Sequence, residues 1–492
     1  MAIQNQIFSR IMNIGAVQRQ SLLTLLWQIL FTLIGFLSTM YFAHVAGANV
    51  LGAYFLFMAY YGIVSMVTDG GFGGAAIKRI SEGEEQDAYF SAFFAIRFLF
   101  TIIILIGLII FRGFFVDLTN SGLFIWLILI LVLSIFQGAI STGVAGRGKM
   151  GISTTCAFAG NISRIIAQII AIYLGFGAAG LAGGFVAGIL LAAIIEFHFF
   201  DLHLVPFKWK HIKSLSVFSF WLFLTSGGVL VFSQADTILI GYFMDTSDIG
   251  IYRVALQFTM AATFTTYALR AVLWPRISRW DKTGEIELVE ESLARAISYS
   301  LILAIPVFTG GILLSDKLLY FFYGEDFISG YKSLIILLLV QVVNVFQYLF
   351  TMYLDALDHP EESFKVTALA AIVNILLNIA LIPIMGILGA AIATLVTMML
   401  NALLARHILS GIINIRLEYR TLLNIVKASI AMGITVGAYR LFVDLSNVWV
   451  TIFGVVVGGI VYIFLILKFD KKICNELQEI IIKVGLPWPG WL

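Results

Sequence analysis

The chain has 492 residues, 61% of them hydrophobic and only 12% charged, with a net charge of +2. Mean hydropathy is +1.00. Soluble domains carry roughly 25% charged residues, so a water-soluble fold is excluded, and the charge is too small to suggest a nucleic-acid partner. Cys156 and Cys474 are the only cysteines, which implies no disulfide framework.

Apolar runs of membrane-spanning length predict an all-α polytopic protein of about fourteen transmembrane helices. Their cores are residues 22–42, 51–68, 89–111, 123–142, 153–174, 180–200, 214–242, 250–273, 294–314, 334–354, 364–384, 389–409, 422–442 and 449–467. The longest connections are 80–88, 201–213, 274–293 and 315–332, none long enough for a soluble domain. Lys78, Arg79, Arg147, Lys149, Lys208, Lys210, Lys213, Arg276, Arg279 and Lys282 fall in loops on one side of this arrangement. Only Arg112, Lys317, Lys332 and Arg440 fall in loops on the other. That asymmetry predicts that both termini are cytoplasmic. The polar N-terminus lacks a small-residue cleavage site before the first run, so no cleaved signal peptide is expected.

Weak internal similarity divides the chain. Leu51-Gly52-Ala53-Tyr54 recurs as Ile249-Gly250-Ile251-Tyr252, and Phe136-Gln137 recurs as Phe346-Gln347. Runs one to six therefore pair with seven to twelve as parallel repeats. The implied units are a six-helix lobe over 1–212, a second over 213–415, an extra helix pair over 416–470 and a tail over 471–492. In the tail, Ile473, Leu477, Ile480 and Ile481 share a face, which predicts an interfacial helix.

Asn161, Arg164 and Gln168 stand at i, i+3 and i+7 in the fifth run and form one polar stripe on a helix. Arg164 is near mid-depth, about a dozen residues from either end, too far to snorkel. A guanidinium there costs several kcal/mol in lipid and should face an anionic partner or a water-filled cavity. Arg97 lies about two turns into the third run and reads as an inner-side contact. Gln137 in the fourth run, and Asn344 and Gln347 in the tenth, add amides that suit sugar hydroxyls; singly, each could equally bridge helices. Arg270, Glu196 and Arg295 read as snorkelling to the inner interface. The Asp69-Gly70-Gly71-Phe72-Gly73-Gly74 stretch lacks the strand and Gly-Lys-Ser/Thr of a nucleotide loop and reads as a flexible helix end. The six histidines are scattered and form no metal-ligand pattern.

A coupling-ion site is a further expectation. Asp236 is the only carboxylate in the outer half of the seventh run, and unpaired it would be costly or protonated. Asn374 and Asn378 are one turn apart, and Thr394 adds a hydroxyl. Sodium, or a proton on Asp236, could be held there; an ion pair of Asp236 with Arg253 is the plain alternative.

The order Gly52-Ala53-Tyr54, Asp69-Gly70-Gly71-Phe72, Gln234-Ala235-Asp236, Gly250-Ile251-Tyr252 and Leu319 to Phe327 resembles the oligosaccharide flippases of the multidrug/oligosaccharidyl-lipid/polysaccharide exporter superfamily. It is also similar to the lipid II flippases, whose sodium site has the same helix positions but an acid where Asn378 stands. The resemblance implies two six-helix lobes around a V-shaped cavity, open alternately to each side of the cytoplasmic membrane. It implies a cargo of polyprenyl-(pyro)phosphate-linked oligosaccharide, a membrane-lipid environment, glycan assembly proteins as neighbours, and no enzymatic activity. The competing readings are a drug or metabolite antiporter, which should have an apolar or acidic cavity, and a glycan polymerase or ligase, which should have a large charged outer loop.

Overall fold

The computed structural model describes residues 16–483, which divide after Gly250 into two compact units. Helices α1 (Ala16–Asp69), α2 (Phe72–Ser81), α3 (Gln86–Ile110), α4 (Phe124–Gly146), α5 (Met150–Tyr173), α6 (Gly177–Phe197) and α7 (Trp209–Phe243) make up the first unit. The start of α8 (Thr246–Thr283) completes it. The second unit holds the rest of α8, then α9 (Ile286–Tyr323), α10 (Tyr331–Ala356), α11 (Pro360–Met385) and α12 (Ile387–Leu409). It ends with α13 (Tyr419–Phe442), α14 (Val448–Phe469) and α15 (Lys471–Lys483).

Eleven helices among the described residues are long and apolar enough to cross a membrane. The first of these is two helices joined at Gly47, whose φ of 78° and ψ of 176° break α1 between the first and second apolar runs. Only glycine adopts that conformation without strain. The long helices α7 and α8 cover the seventh and eighth runs. Apolar side chains face outward, as a lipid solvent requires: Ile103, Ile106 and Ile110 on α3, and Ile372, Leu376 and Ile379 on α11, are all exposed.

Two predicted loops are largely helix. Residues 274–293 become the end of α8 and the start of α9, separated only by Gly284 and Glu285. Gly284, at φ 75°, accepts the left-handed step, and the N–H groups of Gly284 and Glu285 close onto Asp281 and Trp280 carbonyls. Residues 315–332 continue α9 to Tyr323, followed by a short 3-10 turn, Glu325–Gly330. Hydropathy marks where lipid ends, whereas backbone hydrogen bonding carries a charged helix on past that boundary.

Two repeat-signature glycines meet inside the first unit. A Cβ on Gly52 would fall 1.6 Å from the Thr246 carbonyl oxygen, and one on Gly250 would fall 2.2 Å from that of Ala48. The two backbones touch, so neither position admits a side chain.

The tail departs from expectation. Ile473, Cys474 and Leu477 of α15 pack into the second unit's core instead of lying free at an interface. Asp470 anchors the helix: its carboxylate accepts the N–H groups of Lys472 and Ile473 and the Asn424 amide. Burial opposes the Asp470 charge, but these hydrogen bonds outweigh it and hold the carboxyl below the usual range. Tyr299 donates to Glu476, tying α15 to α9.

Candidate functional site

The seam between α5 and α6 is built on small residues. Gly180, Gly184 and Gly188 repeat every four residues on α6 and let the two backbones close. A Cβ on Gly184 would lie 2.5 Å from Gln168 Cγ, and one on Gly188 would lie 2.6 Å from both Arg164 Cβ and the Gly160 carbonyl oxygen. Gly160 in turn faces Ala192. Gln168, Arg164 and Gly160 therefore stand in register against Gly184, Gly188 and Ala192. This Gly-xxx-Gly-xxx-Gly spacing was legible in the sequence and is a signal the polar-stripe reading left unused.

The three residues of the stripe differ in what they do. Gln168 is buried, and its amide donates to the Leu181 carbonyl (2.7 Å) and the Tyr54 hydroxyl (3.1 Å). It ties α5 to α6 and α1 and has little left for a ligand. Asn161 is 6% exposed, yet neither its Nδ2 nor its Oδ1 has a partner. Arg164 Nε is also buried without a partner. The Arg164 guanidinium lies 6.0 Å from the Phe31 ring centroid and 5.9 Å from that of Phe185. Phe185 is itself braced edge-on by Tyr61 and Phe57. Buried polar groups in folded proteins are nearly always hydrogen-bonded, so a neighbouring Asn and Arg left open within one helical turn mark a place prepared for another molecule's acceptors.

Arg97 is the opposite case. It is buried, its Nη1 meets Asp69 Oδ1 at 2.6 Å, and its Nε and Nη2 both donate to the Ser134 carbonyl, at 3.2 and 3.0 Å. Asp69 also accepts the Gly73 N–H. The glycine-rich stretch is thus an ordered junction rather than a flexible end. Gly70 and Gly71 take φ values of 56° and 77°, which turn Asp69 back onto Arg97. Gly138 leaves room for the guanidinium, since a Cβ there would sit 2.4 Å from Nη2. Arg97 joins α1, α3 and α4. Gln137, the residue before Gly138 on α4, is half-buried.

In the second unit the expected amides lie in a cluster with residues not anticipated. Asn344 Nδ2 donates to Gln341 Oε1 (3.2 Å). The Tyr267 and Tyr348 rings meet edge to face at 4.8 Å. Arg270 Nη1 donates to the Tyr348 hydroxyl (2.9 Å), and its guanidinium lies 4.7 Å from the Trp274 ring centroid. Arg270 is therefore held by aromatic groups of its own unit rather than simply snorkelling. Its i+4 spacing to Trp274 and its i−3 spacing to Tyr267 were visible in the sequence. Gln347 is half-buried on the same helix as Asn344.

The amides expected to hold a coupling ion close largely on one another. Asn378 Nδ2 donates to Asn374 Oδ1 (3.0 Å), and Asn374 Nδ2 reaches Thr397 Oγ1 (3.4 Å), whose hydroxyl donates to the Ala393 carbonyl (2.9 Å). Thr397, one turn beyond Thr394, is the threonine that Asn374 reaches. Thr394 is buried on α12, and Asp236 is buried on α7 in the first unit. No group of three or more His, Cys, Asp or Glu side chains able to hold a metal occurs among the described residues.

A pocket of about 610 Å³ in the first unit is lined by Phe114, Asp117, Tyr242, Asp245 and Asp248 among others. Its lining carries carboxylates and no cation, the wrong sign for an anionic head group. Glu196, expected to snorkel, is instead 2% exposed. Nearby, burial alone would raise the Asp201 carboxyl, but hydrogen bonding from Lys149 and the charge of Arg147 hold it below the usual range.

A family comparison bears on what these arrangements serve. The family described as polysaccharide biosynthesis protein matches residues 47–331, more than half of the chain. The chain belongs to that family. Among curated proteins it is similar to a probable low-salt glycan biosynthesis flippase, Agl15, of Haloferax volcanii, at 25% identity over 88% of this chain and 92% of the relative. It is 26% identical to a probable flippase, AglR, of the same organism, over 92% of this chain and 95% of the relative. A putative O-antigen transporter of Shigella flexneri is 24% identical over 55% of this chain and 63% of its own length. Among solved structures, the lipid II flippase MurJ in an inward closed conformation superposes with a TM-score of 0.77 at 18% identity, covering 92% of this chain and all of that one. An inward-facing multidrug resistance transporter of the MATE family, described as belonging to the MOP superfamily, gives 0.64 at 16% identity, covering 77% and 95%. This member of the polysaccharide biosynthesis family is thus an all-α, multi-span membrane protein with the flippase and multidrug-transporter fold. The relatives named above are called flippases or a transporter.

Proposed function

We propose that this protein is a flippase that carries a polyprenyl-(pyro)phosphate-linked oligosaccharide across the cytoplasmic membrane by alternating access. The observation that carries the reading is the open pair Asn161 and Arg164 on the α5–α6 seam, two unsatisfied buried donors in an apolar wall. A guanidinium stays charged at any working pH and can grip two phosphate oxygens at once; the neighbouring amide adds a donor of adjustable direction. Gln168 positions this pair by fixing α5 against α6. In the second unit, the Arg270, Tyr267, Tyr348 and Asn344 cluster suits sugar, with ring faces for the pyranose and amide groups for hydroxyls. Gln137 and Gln347 extend the polar lining of their units. Arg97 supports the first unit rather than touching cargo. No coupling-ion step is assigned to Asn374 and Asn378, whose amides join one turn of α11 to the next and to Thr397 of α12.

The arrangement we propose around this chemistry has fourteen spans, with six-helix lobes at 1–212 and 213–415, an extra helix pair at 416–470, and both termini cytoplasmic. The names of the haloarchaeal relatives support the cargo class, and the lysine and arginine asymmetry supports the orientation. A cation on the α5–α6 seam argues against a drug antiporter for cationic substrates. The test is reconstitution of the purified protein into vesicles and measurement of a fluorescent polyprenyl-linked oligosaccharide crossing the bilayer. Protein-dependent translocation is expected; a rate equal to protein-free vesicles would refute the reading.

A further inference from the structure

Glu196 is a buried acid for which nothing above has a use. It stands one residue before the end of α6, and a 2% exposed residue with an unpartnered Oε1 is an expensive place for a carboxylate. Its polar neighbours are the hydroxyls of Ser141 on α4 and Ser153 on α5, which are 3.0 Å from each other. The other titratable group facing it from α5 is the Cys156 thiol, which is also buried. The cations that gather at Asp201, five residues on, are committed there: Lys149 to Asp201 and the Phe199 carbonyl, Arg147 to Asp201 and Gln86; Lys210 pairs with Glu85. His198, two residues on, is exposed and turned against Phe199. No ion pair reaches Glu196 among the described residues.

We infer that Glu196 is a proton-binding site: a carboxylic acid kept neutral by its burial between α4, α5 and α6, and able to release its proton when that packing opens. An ionised carboxylate needs a cation or several donors to remain buried, and two hydroxyls that also bond each other are not enough. A neutral acid can donate to one hydroxyl and leave only a carbonyl-type oxygen unpaired, which costs far less. The position links the proton to the anion site. Gly188, Ala192 and Glu196 are successive turns of α6; Gly188 packs on Arg164, and Ala192 packs on Gly160 beside Asn161. A tight seam holds Glu196 protonated, and movement of α6 away from α5 would expose both Arg164 and the acid. Protonation therefore favours the closed seam, and proton loss favours the open one. Because Glu196 lies at the helix end, its proton has a short route to the aqueous side.

Infrared difference spectroscopy of the full-length protein tests this without any cargo, so its outcome is independent of the flippase reading. The spectrum of wild type minus Glu196→Gln at neutral pH is expected to contain one protonated-carboxyl stretching band that shifts in deuterated buffer and is lost on strong alkalinisation. The absence of such a band would show Glu196 to be ionised and would overturn the inference. Should Glu196→Gln fail to fold, Ser153→Ala and Ser141→Ala give the same decision. Removing a hydroxyl partner shifts the band to higher frequency, and an unshifted carboxyl region in both variants overturns the proposal.

Discussion

Two arginines lie in the membrane-spanning part of the first unit, and they have opposite surroundings. Arg97 is fully engaged, with a carboxylate on one side and a backbone carbonyl on the other. Arg164 has aromatic rings beside it, an unpartnered Nε, and an unpartnered asparagine one turn away. Both were expected to be costly and therefore functional. The difference teaches that cost alone does not identify a binding group. A buried charge whose partners are present is an element of the fold, and one whose partners are missing is an element of function.

The comparison breaks most easily at the seam that presents Arg164. Gly188→Val places methyl groups where Arg164 Cβ and the Gly160 carbonyl already stand. Overpacking of this kind costs about 3 kcal/mol or more when backbone blocks the relief, so the variant should yield little folded protein in size-exclusion profiles. Arg97→Ala comes next. Loss of one partner from a buried pair costs about 3–5 kcal/mol, reduced here to about 2–3 kcal/mol because Asp69 is about a third exposed. Its melting temperature should fall clearly, and the Asp69→Ala, Arg97→Ala double variant should lose less than the sum of the two singles. Gln168→Leu should show the smallest effect, about 1 kcal/mol from two lost hydrogen bonds partly offset by apolar packing. Transport by that variant should fall only modestly, as expected of a residue that positions Arg164 rather than binding.

These contrasts also mark what the sequence made legible. The helices were readable because lipid forces every backbone group to pair within its own segment, so long apolar runs have one solution. The lengths of α8 and α9 were misread because their charged ends, from Arg276 to Glu291, continue the helix in water, where hydropathy has nothing to say. The stripe Asn161, Arg164 and Gln168 was readable from its spacing. Which of the three is free was not, since it depends on Tyr54 and the Leu181 carbonyl, each more than ten residues away in sequence. The Arg97–Asp69 pair depends on two left-handed glycines that fold a helix end back, and a glycine run alone does not say where it turns. The aromatic grip on Arg270 was within reach, because Tyr267 and Trp274 share its helix face.

The most direct measurement compares Arg164→Ala with wild type in two assays on the same preparation: thermal melting, and the initial rate of translocation of a labelled polyprenyl-linked oligosaccharide in vesicles. Arg164 contributes only weak ring contacts to the fold, worth about 0.5–1 kcal/mol, so melting should hardly change. A charged hydrogen bond to cargo is worth about 1.5–3 kcal/mol, so the rate should fall by about 10- to 100-fold, with Arg164→Lys recovering part of it. A normal rate in Arg164→Ala, or a loss of rate that merely follows a loss of folded protein, would contradict the assignment of this arginine to the cargo.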